Sequence, residues 1–547
     1  MGYMTDVMLT ADITNFSSPD IGFFLPSFFP GAPWGQIPFI VRYMLEKLMF
    51  KEPPTKNGVV YDCIYGLRKF EAILLQAGID CAVYSPYNIE KYAEDAKVFG
   101  VSAMDPLGLG PVSVTSMGLF GDKKYNLTGD PASFIPPLSL VKFTELIQKL
   151  KQFDKPIIVG GSGSNQFELL SQEIDNLGID CVFIGDAEVE GPLLIKKALQ
   201  GEKLPKIVRA KNILKEVKIP TIAHPVSWGL VEISRGCDRH CKFCDPSVRQ
   251  FQWIPIDRIL KEIKVNLRVT KNVTLMSEDV FRYGTAQHEW VPNGGLVNLV
   301  KEVKKLPDIG SISLSHACLA AAYAAPEQIE ALKEELNLSR EHYSSVQAGV
   351  ETGSIRLAAK YMPFKGAPFE ADEWPEIVLQ SWKLLTKNFI YPAGTLMLGL
   401  DDTEEDIQAT IDMVKKLNKY PGMCWPLTFM PLGALRSQKR EHFYTDWETM
   451  SPKAQELFLL CINHMLDQSE KSHEHLFGTQ FHRRVLNHLG TLFGRVIVRA
   501  VEEKAYRKDR QRSYQQLGKI TLREFVDYTA RFLRMRGYKA RFYSDVQ

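Results

Sequence analysis

The sequence predicts an α/β protein of several domains that ends in a helical region. Three observations lead there. Short apolar runs alternate with helical periods in two separate series, one before residue 205 and one after residue 223. A stretch with Lys203, Lys206, Lys211, Lys215 and Lys218, closed by Pro220 and Pro225, lies between the two series. At 547 residues the chain is also too long for one core of ordinary size.

Residues 1–55 are rich in Pro, Phe and Gly, as in IGFFLPSFFPGAPWGQIPF, and so many breakers predict a packed lead-in rather than a long element. Over 56–205, GLRKFEAILLQAG places Leu67, Phe70, Ile73 and Leu74 at helical spacing and ends at Gly78. Strand-like IDCAVYSP, VFGVSAM, PIIVGG and CVFIGD follow, with helical LVKFTELIQKLKQF and NQFELLSQEIDNLG before the last two. Such alternation predicts a parallel, doubly wound sheet whose ligands sit beyond the strand C-termini. The loops there are DPLGLGPVS (Asp105 to Ser113), GGSGSNQ (Gly160 to Gln166) and GDAEVEG (Gly185 to Gly191). Two are glycine-rich, as backbone must be where it approaches a ligand closely, although many parallel sheets carry such loops without a ligand.

Residues 223–435 read as a barrel-like βα repeat, with strands at GLVEIS, VTLMSE, SISLSH, SVQAGVE and GTLMLGL. From 436 to 547 the strand signals stop, and PKAQELFLLCINHMLDQSEK and TLREFVDYTARFLRM are helical by period. Hydrophobic residues at 45% and charged residues at 24% are ordinary globular usage, and no window is apolar enough to span a membrane. Asp6 and Asp12 stand where a secretory signal needs a basic start and an apolar core. Nine cysteines, three of them packed into eight residues, do not make a disulfide framework. A cytoplasmic protein is expected. The net charge of +2 gives no bulk pull towards nucleic acid, and no nucleic-acid partner is expected. From Arg483 onward, however, 16 Lys/Arg face 6 Asp/Glu, which suits an anionic surface as well as it suits a solvated helical face.

The chemistry is concentrated in SRGCDRHCKFCDPS. Cys237, Cys241 and Cys244 are spaced to put three thiolates on three corners of a cubane [4Fe–4S] cluster, leaving one iron without a protein ligand. A zinc site would need a fourth ligand, for which only His240 is at hand. This run resembles the CxxxCxΦC signature of the radical S-adenosylmethionine (SAM) superfamily, with Phe243 as the aromatic position. The resemblance implies that the open iron binds SAM and that an electron from the cluster releases a 5′-deoxyadenosyl radical.

Further resemblance extends over about 170 residues downstream. LMSEDVF offers Glu278 and Asp279 to the SAM amino group. GVETGS (Gly349 to Ser354) resembles the element that approaches the ribose, with Glu351 and Ser354 as implied contacts. GTLMLGLDDTEED resembles the element beside the adenine, where Gly399 is implied. Asp401 and Asp402 depart from the Pro and Gly common in that element, while Glu404 and Glu405 read as first-turn helix acids.

Residues 56–205 resemble the Rossmann-like cobalamin-binding domain that precedes many radical SAM partial (β/α) barrels. The resemblance implies cobalamin contacts at Asp105, Gly108, Gly110, Ser113, Gly160, Gly161, Ser162 and Gly185. The chain has no histidine before His224, so cobalt bound here would lack an imidazole ligand from this domain. Methylthiotransferases also join an α/β domain to a radical SAM core. They hold a second cluster on three N-terminal cysteines, but Cys81 and Cys181 enter apolar strands here, as small buried hydrophobes do.

The layout is similar to archaeal enzymes of this subgroup, namely tetraether-lipid cyclopentane ring synthases and the methylase acting on a glutamine of methyl-coenzyme M reductase. The expected activity is C–C bond formation at unactivated carbon. Phe23, Phe24, Phe28, Phe29 and Trp34, with the basic end, tilt the expectation towards lipid ring formation and a peripheral membrane contact. Methylation of a protein or small molecule is the alternative, and a cobalamin-binding sensor or carrier the third reading. A reduced ferredoxin or flavodoxin-type protein is the implied electron donor.

Overall fold

The computed structural model describes residues 5–16, 31, 43, 46, 50, 52–120, 136–210, 219–244, 246, 249–430 and 450–471. Phe23, Phe24, Phe28, Phe29 and Trp34 of the lead-in, residues 211–218 of the lysine-rich stretch and the basic segment after Arg483 lie outside them.

Six parallel strands build the first sheet: β1 (Val7–Ala11), β2 (Cys81–Val83), β3 (Val98–Ser102), β4 (Ile157–Gly160), β5 (Cys181–Ile184) and β6 (Ile207–Arg209), in the order β2-β1-β3-β4-β5-β6. Their residues alternate between two cores. Val7, Leu9, Val98 and Ile158 pack with Leu67 and Leu74 of α1 (Tyr65–Gln76) on one face. Met8, Phe99, Val101, Ile157 and Val159 pack with Phe143 and Ile147 of the 138–150 helix on the other. Burial on both faces is what makes such strands read as unbroken apolar runs.

β1 falls within residues 1–55, the stretch expected to be a packed lead-in. All five of its residues are buried, and it lies inside the sheet with Leu9 opposite Gly100 of β3. A Cβ on Gly100 would fall 2.6 Å from the Leu9 side chain, so Leu9 packs directly against this glycine. A run this short carries no periodicity of its own, and the breakers that follow hide it.

The second unit is a sequential series of parallel strands: β7 (Leu230–Glu232), β8 (Asn272–Met276), β9 (Ser311–Leu314), β10 (His316–Ala317), β11 (Ser344–Glu351), β12 (Ile390–Leu398) and β13 (Met423–Thr428). The first three form one sheet and the last four another. Ser315 joins them, its N–H donating to Leu275 O at 3.1 Å and its carbonyl accepting from Gln347 N at 2.8 Å. The helix at Pro452–Lys471 buries Leu457, Phe458 and Cys461 in this unit's core, so the boundary expected at residue 435 does not separate it.

The first unit touches both edge strands of the second. On the β7 side, Tyr65 OH of α1 donates to Glu262 at 2.9 Å, and Lys69 pairs with the same carboxylate. On the β13 side, Thr428 N donates to the Thr115 hydroxyl at 2.8 Å, and Met430 packs in the first unit's core.

Candidate active site

The three cysteines lie on the loop that leaves β7. Cys237 N donates to Pro246 O at 3.1 Å, Cys244 N to Cys241 O at 3.2 Å and Lys242 N to Tyr361 O at 3.0 Å. The two residues after Cys237 pin this loop from beneath. Asp238, fully buried, receives both Arg282 nitrogens at 2.7 and 3.1 Å and His288 N at 3.0 Å. Burial alone would raise its carboxyl, but these donors outweigh that and hold it below the usual range. Arg239 donates to the carbonyls of Phe364, Lys365 and Ala367 at 2.9 to 3.1 Å and pairs with Asp279 at 2.9 Å.

Burial pushes the Cys237 thiol up to about 12 and Cys241 up to about 11, and raises Cys244 as well. Cys241 adds to the rise at both other cysteines, so the three sit within one another's field. Among the described residues no three His, Cys, Asp or Glu side chains converge as ligands of a single ion would, and thiolates on separate corners of a cluster need not. Three clustered thiols, with Lys365 beside Cys241 and Cys244 and Arg239 beside Cys237 and Cys241, fit a cluster that holds them as thiolates.

The other implied SAM residues lie on the C-terminal ends of β7, β8, β11 and β12. Phe243 packs against the core. Glu278 is exposed, and its charge acts on Cys244. Asp279 is committed to Arg239 and to Cys318 N at 3.1 Å, which makes it an anchor of the cysteine loop. Glu351, at φ 61°, pairs with Lys365 at 2.7 Å. Ser354 caps the following helix, accepting from Leu357 N at 3.2 Å and donating to Asp406. Gly399 N donates to Asp402 at 2.7 Å. Asp402 Oδ1 is buried without a partner, and burial pushes that carboxyl up to about 7. Glu404 and Glu405, read as first-turn acids, stand with Asp406 in the first turn of the 404–417 helix, where Thr403 and Asp406 form a capping box.

At the strand ends of the first unit, Asp105 organises its own loop. It accepts from Gly110 N and Gln166 Nε2, each at 2.7 Å, from Ser139 at 3.1 Å and from Ser113. Gly108 there has φ 67°, and Ser162 is exposed. Gly160, Gly161 and Gly185 line a cavity of about 240 Å³ between the units. Phe70, Ile73, Val101, Ile158 and Leu194 form its apolar side, and Glu188, Glu232 and Arg235 its charged side. Arg235, two residues before Cys237, donates to Glu232 at 2.7 and 2.9 Å and to Glu188 of the first unit. Cys63, Cys81 and Cys181 are all buried in the first unit's apolar core.

Sequence reasoning missed Arg235, Arg239, Cys318 and Lys365. Arg239 could have been found inside the cysteine motif as a charge with no solvent face. No local pattern marks Lys365, whose partners are remote in sequence.

Residues 231–414 match the model of the radical SAM superfamily. This segment is a radical SAM domain. The chain is also 23% identical, over 202 residues, to a protein of Pyrococcus horikoshii named as an uncharacterized methyltransferase. That match spans 36% of this chain and 38% of the relative. Among solved structures, methylornithine synthase aligns at 16% identity and a TM-score of 0.29, covering 44% of this chain and 67% of that one. A domain of a thermostable chitinase from Pyrococcus furiosus aligns at 12% identity and a TM-score of 0.18, covering 72% and 92%. Among the described residues, no helix is long and apolar enough to cross a membrane.

Proposed function

We propose that this chain is a cobalamin-dependent radical SAM enzyme that forms a C–C bond at an unactivated carbon, by methyl transfer. The observation that carries the reading is the glycine-lined cavity shared by the two units, bounded on one side by Arg235 of the cysteine loop. Superfamily membership supports an enzyme, and the name of the Pyrococcus relative supports methyl transfer.

Cys237, Cys241 and Cys244 would hold the [4Fe–4S] cluster, and Glu278, Glu351 and the backbone at Gly399 would orient SAM. When bound, cluster and SAM supply a 5′-deoxyadenosyl radical able to remove a hydrogen atom from unactivated carbon, and cobalamin supplies a methyl group. The residues of the chain bind and orient, and no acid–base pair is needed to begin such chemistry.

The cavity fits part of a cobalamin. A space of about 150 Å³ already accepts benzene, so 240 Å³ suits the flat heteroaromatic base of the nucleotide tail. A Cβ built on Gly160 has only one neighbour within 4 Å, at 3.8 Å, so that glycine leaves space open. The Asp105 loop, which holds no imidazole, would help to hold the rest of the cofactor. A reduced ferredoxin or flavodoxin-type protein would supply the electron.

Ring formation in tetraether lipid, the leading expectation from sequence, leans on Phe23, Phe24, Phe28, Phe29 and Trp34 and on the basic end, all outside the described residues. The two reactions separate by mass, since methylation adds one CH₂ and ring closure removes two hydrogens. The test is anaerobic incubation of the reconstituted protein with SAM, a reductant and candidate substrates, followed by mass spectrometry. Formation of 5′-deoxyadenosine with a product heavier by one CH₂, only when cobalamin is present, is expected. Product formed equally without cobalamin would overturn the reading.

A further inference from the structure

The segment Met362–Ala367 is stitched to the cysteine loop. Arg239 binds three of its carbonyls, Lys242 N donates to Tyr361 O just before it, and the Cys318 thiol donates to Lys365 O at 3.2 Å. This stitching keeps Lys365 close enough for its charge to act on Cys241, and its side chain, only 13% exposed, pairs with the 11% exposed Glu351 at 2.7 Å.

The pair has a built seat. A Cβ on Gly349 would lie 2.0 Å from Glu351 Oε1 and 2.5 Å from Lys365 Nζ, so the pair occupies the space beside this glycine. The register of β11 against β12 shifts between Gly349 and Glu351, where Glu351 has φ 61°.

We propose that Lys365, held by Glu351, is the fixed positive charge that sets the reduction potential of the cluster bound at Cys237, Cys241 and Cys244. This inference rests on the cluster reading given above. Glu351, 2.7 Å from the Lys365 nitrogen, holds that side chain as the ammonium half of an ion pair. Reduction adds one negative charge to the cluster. A nearby cation stabilises the reduced form more than the oxidised one, and salt screens a buried cation little. Lys365 raises the potential, and Glu351 partly cancels it.

Redox titration of the anaerobically reconstituted full chain without SAM, followed by EPR, tests this. The potential of Lys365→Met should shift to more negative values and that of Lys365→Arg should stay near wild type. Glu351→Gln should shift the other way, to more positive values. Iron content is measured alongside. Full clusters with unmoved potentials in Lys365→Met and Glu351→Gln would overturn the inference alone. If Lys365→Met fails to hold a cluster, Glu351→Gln decides, and an unmoved or more negative value overturns the inference. A wild-type chain that takes up no cluster would instead overturn the cluster reading itself.

Discussion

At the strand ends of the first unit, Asp105 gives its oxygens to Gly110, Ser113, Ser139 and Gln166, all of them neutral donors. At those of the second, Asp238, Asp279 and Glu351 each face a buried cation, Arg282, Arg239 or Lys365. The first arrangement closes a loop on itself and leaves a glycine-lined space beside it. The second fixes a charge pattern around three thiols. On the proposed reading, the first set of ends would take a large ligand held by shape and the second a compact, charged one. Arg235 joins them, since it reaches Glu188 in the first unit while standing two residues from Cys237.

Removing any one of the three thiols should break the charged end most severely. Cys237→Ala, Cys241→Ala or Cys244→Ala should each lose essentially all of the about four irons per chain expected of a cubane, read by iron and sulfide analysis, with cobalamin uptake unchanged. Arg239→Met comes next. It strands the Asp279 carboxylate and three carbonyls, and loss of one partner of a buried pair costs about 3–5 kcal/mol. A lower thermal midpoint and poorer iron uptake are expected, and an unchanged midpoint would place the loop's anchorage elsewhere.

Gly160→Leu sharpens the comparison from the other side. Filling the open space at the end of β4 should weaken cobalamin binding at least about tenfold, or about 1.4 kcal/mol, without changing iron content. Equal losses of both cofactors would mean that the two ends are not separable. The smallest effect concerns Asp406, which accepts from Ser354 behind the β11 end. Burial would raise its carboxyl, but hydrogen bonds from Arg356, Ser354 and Thr403 bring it from its ordinary 3.8 down to about 2. A depressed carboxyl stabilises the fold above its unfolded value, and that contribution is lost as pH falls towards 2. Asp406→Asn should lower the thermal midpoint at pH 7, by about 1 kcal/mol of stability, and the gap to wild type should close between pH 4 and pH 2.

The cysteine triad was legible because its spacing is local, and the βα alternation because each element carries its own period. β1 was not, since a run as short as Val7–Ala11 looks alike in any buried element. Glu351 could be placed from its motif, but its partner lies fourteen residues on, in a loop without pattern. Asp279 and Ser354 were picked out by type and position, yet the structure engages one with Arg239 and Cys318 and uses the other as a helix cap. Such assignments depend on which donors converge in space, and single-chain periodicity holds no information about that.

The most direct test of the central claim is the cofactor content of the anaerobically reconstituted chain, measured as iron and cobalamin per protein. The measurement is made in wild type and in the variant with Cys237, Cys241 and Cys244 all changed to Ala. About four irons and one cobalamin in wild type, with iron alone lost in the variant, is the predicted result. Iron retained by the variant, or no cobalamin in either protein, would contradict it.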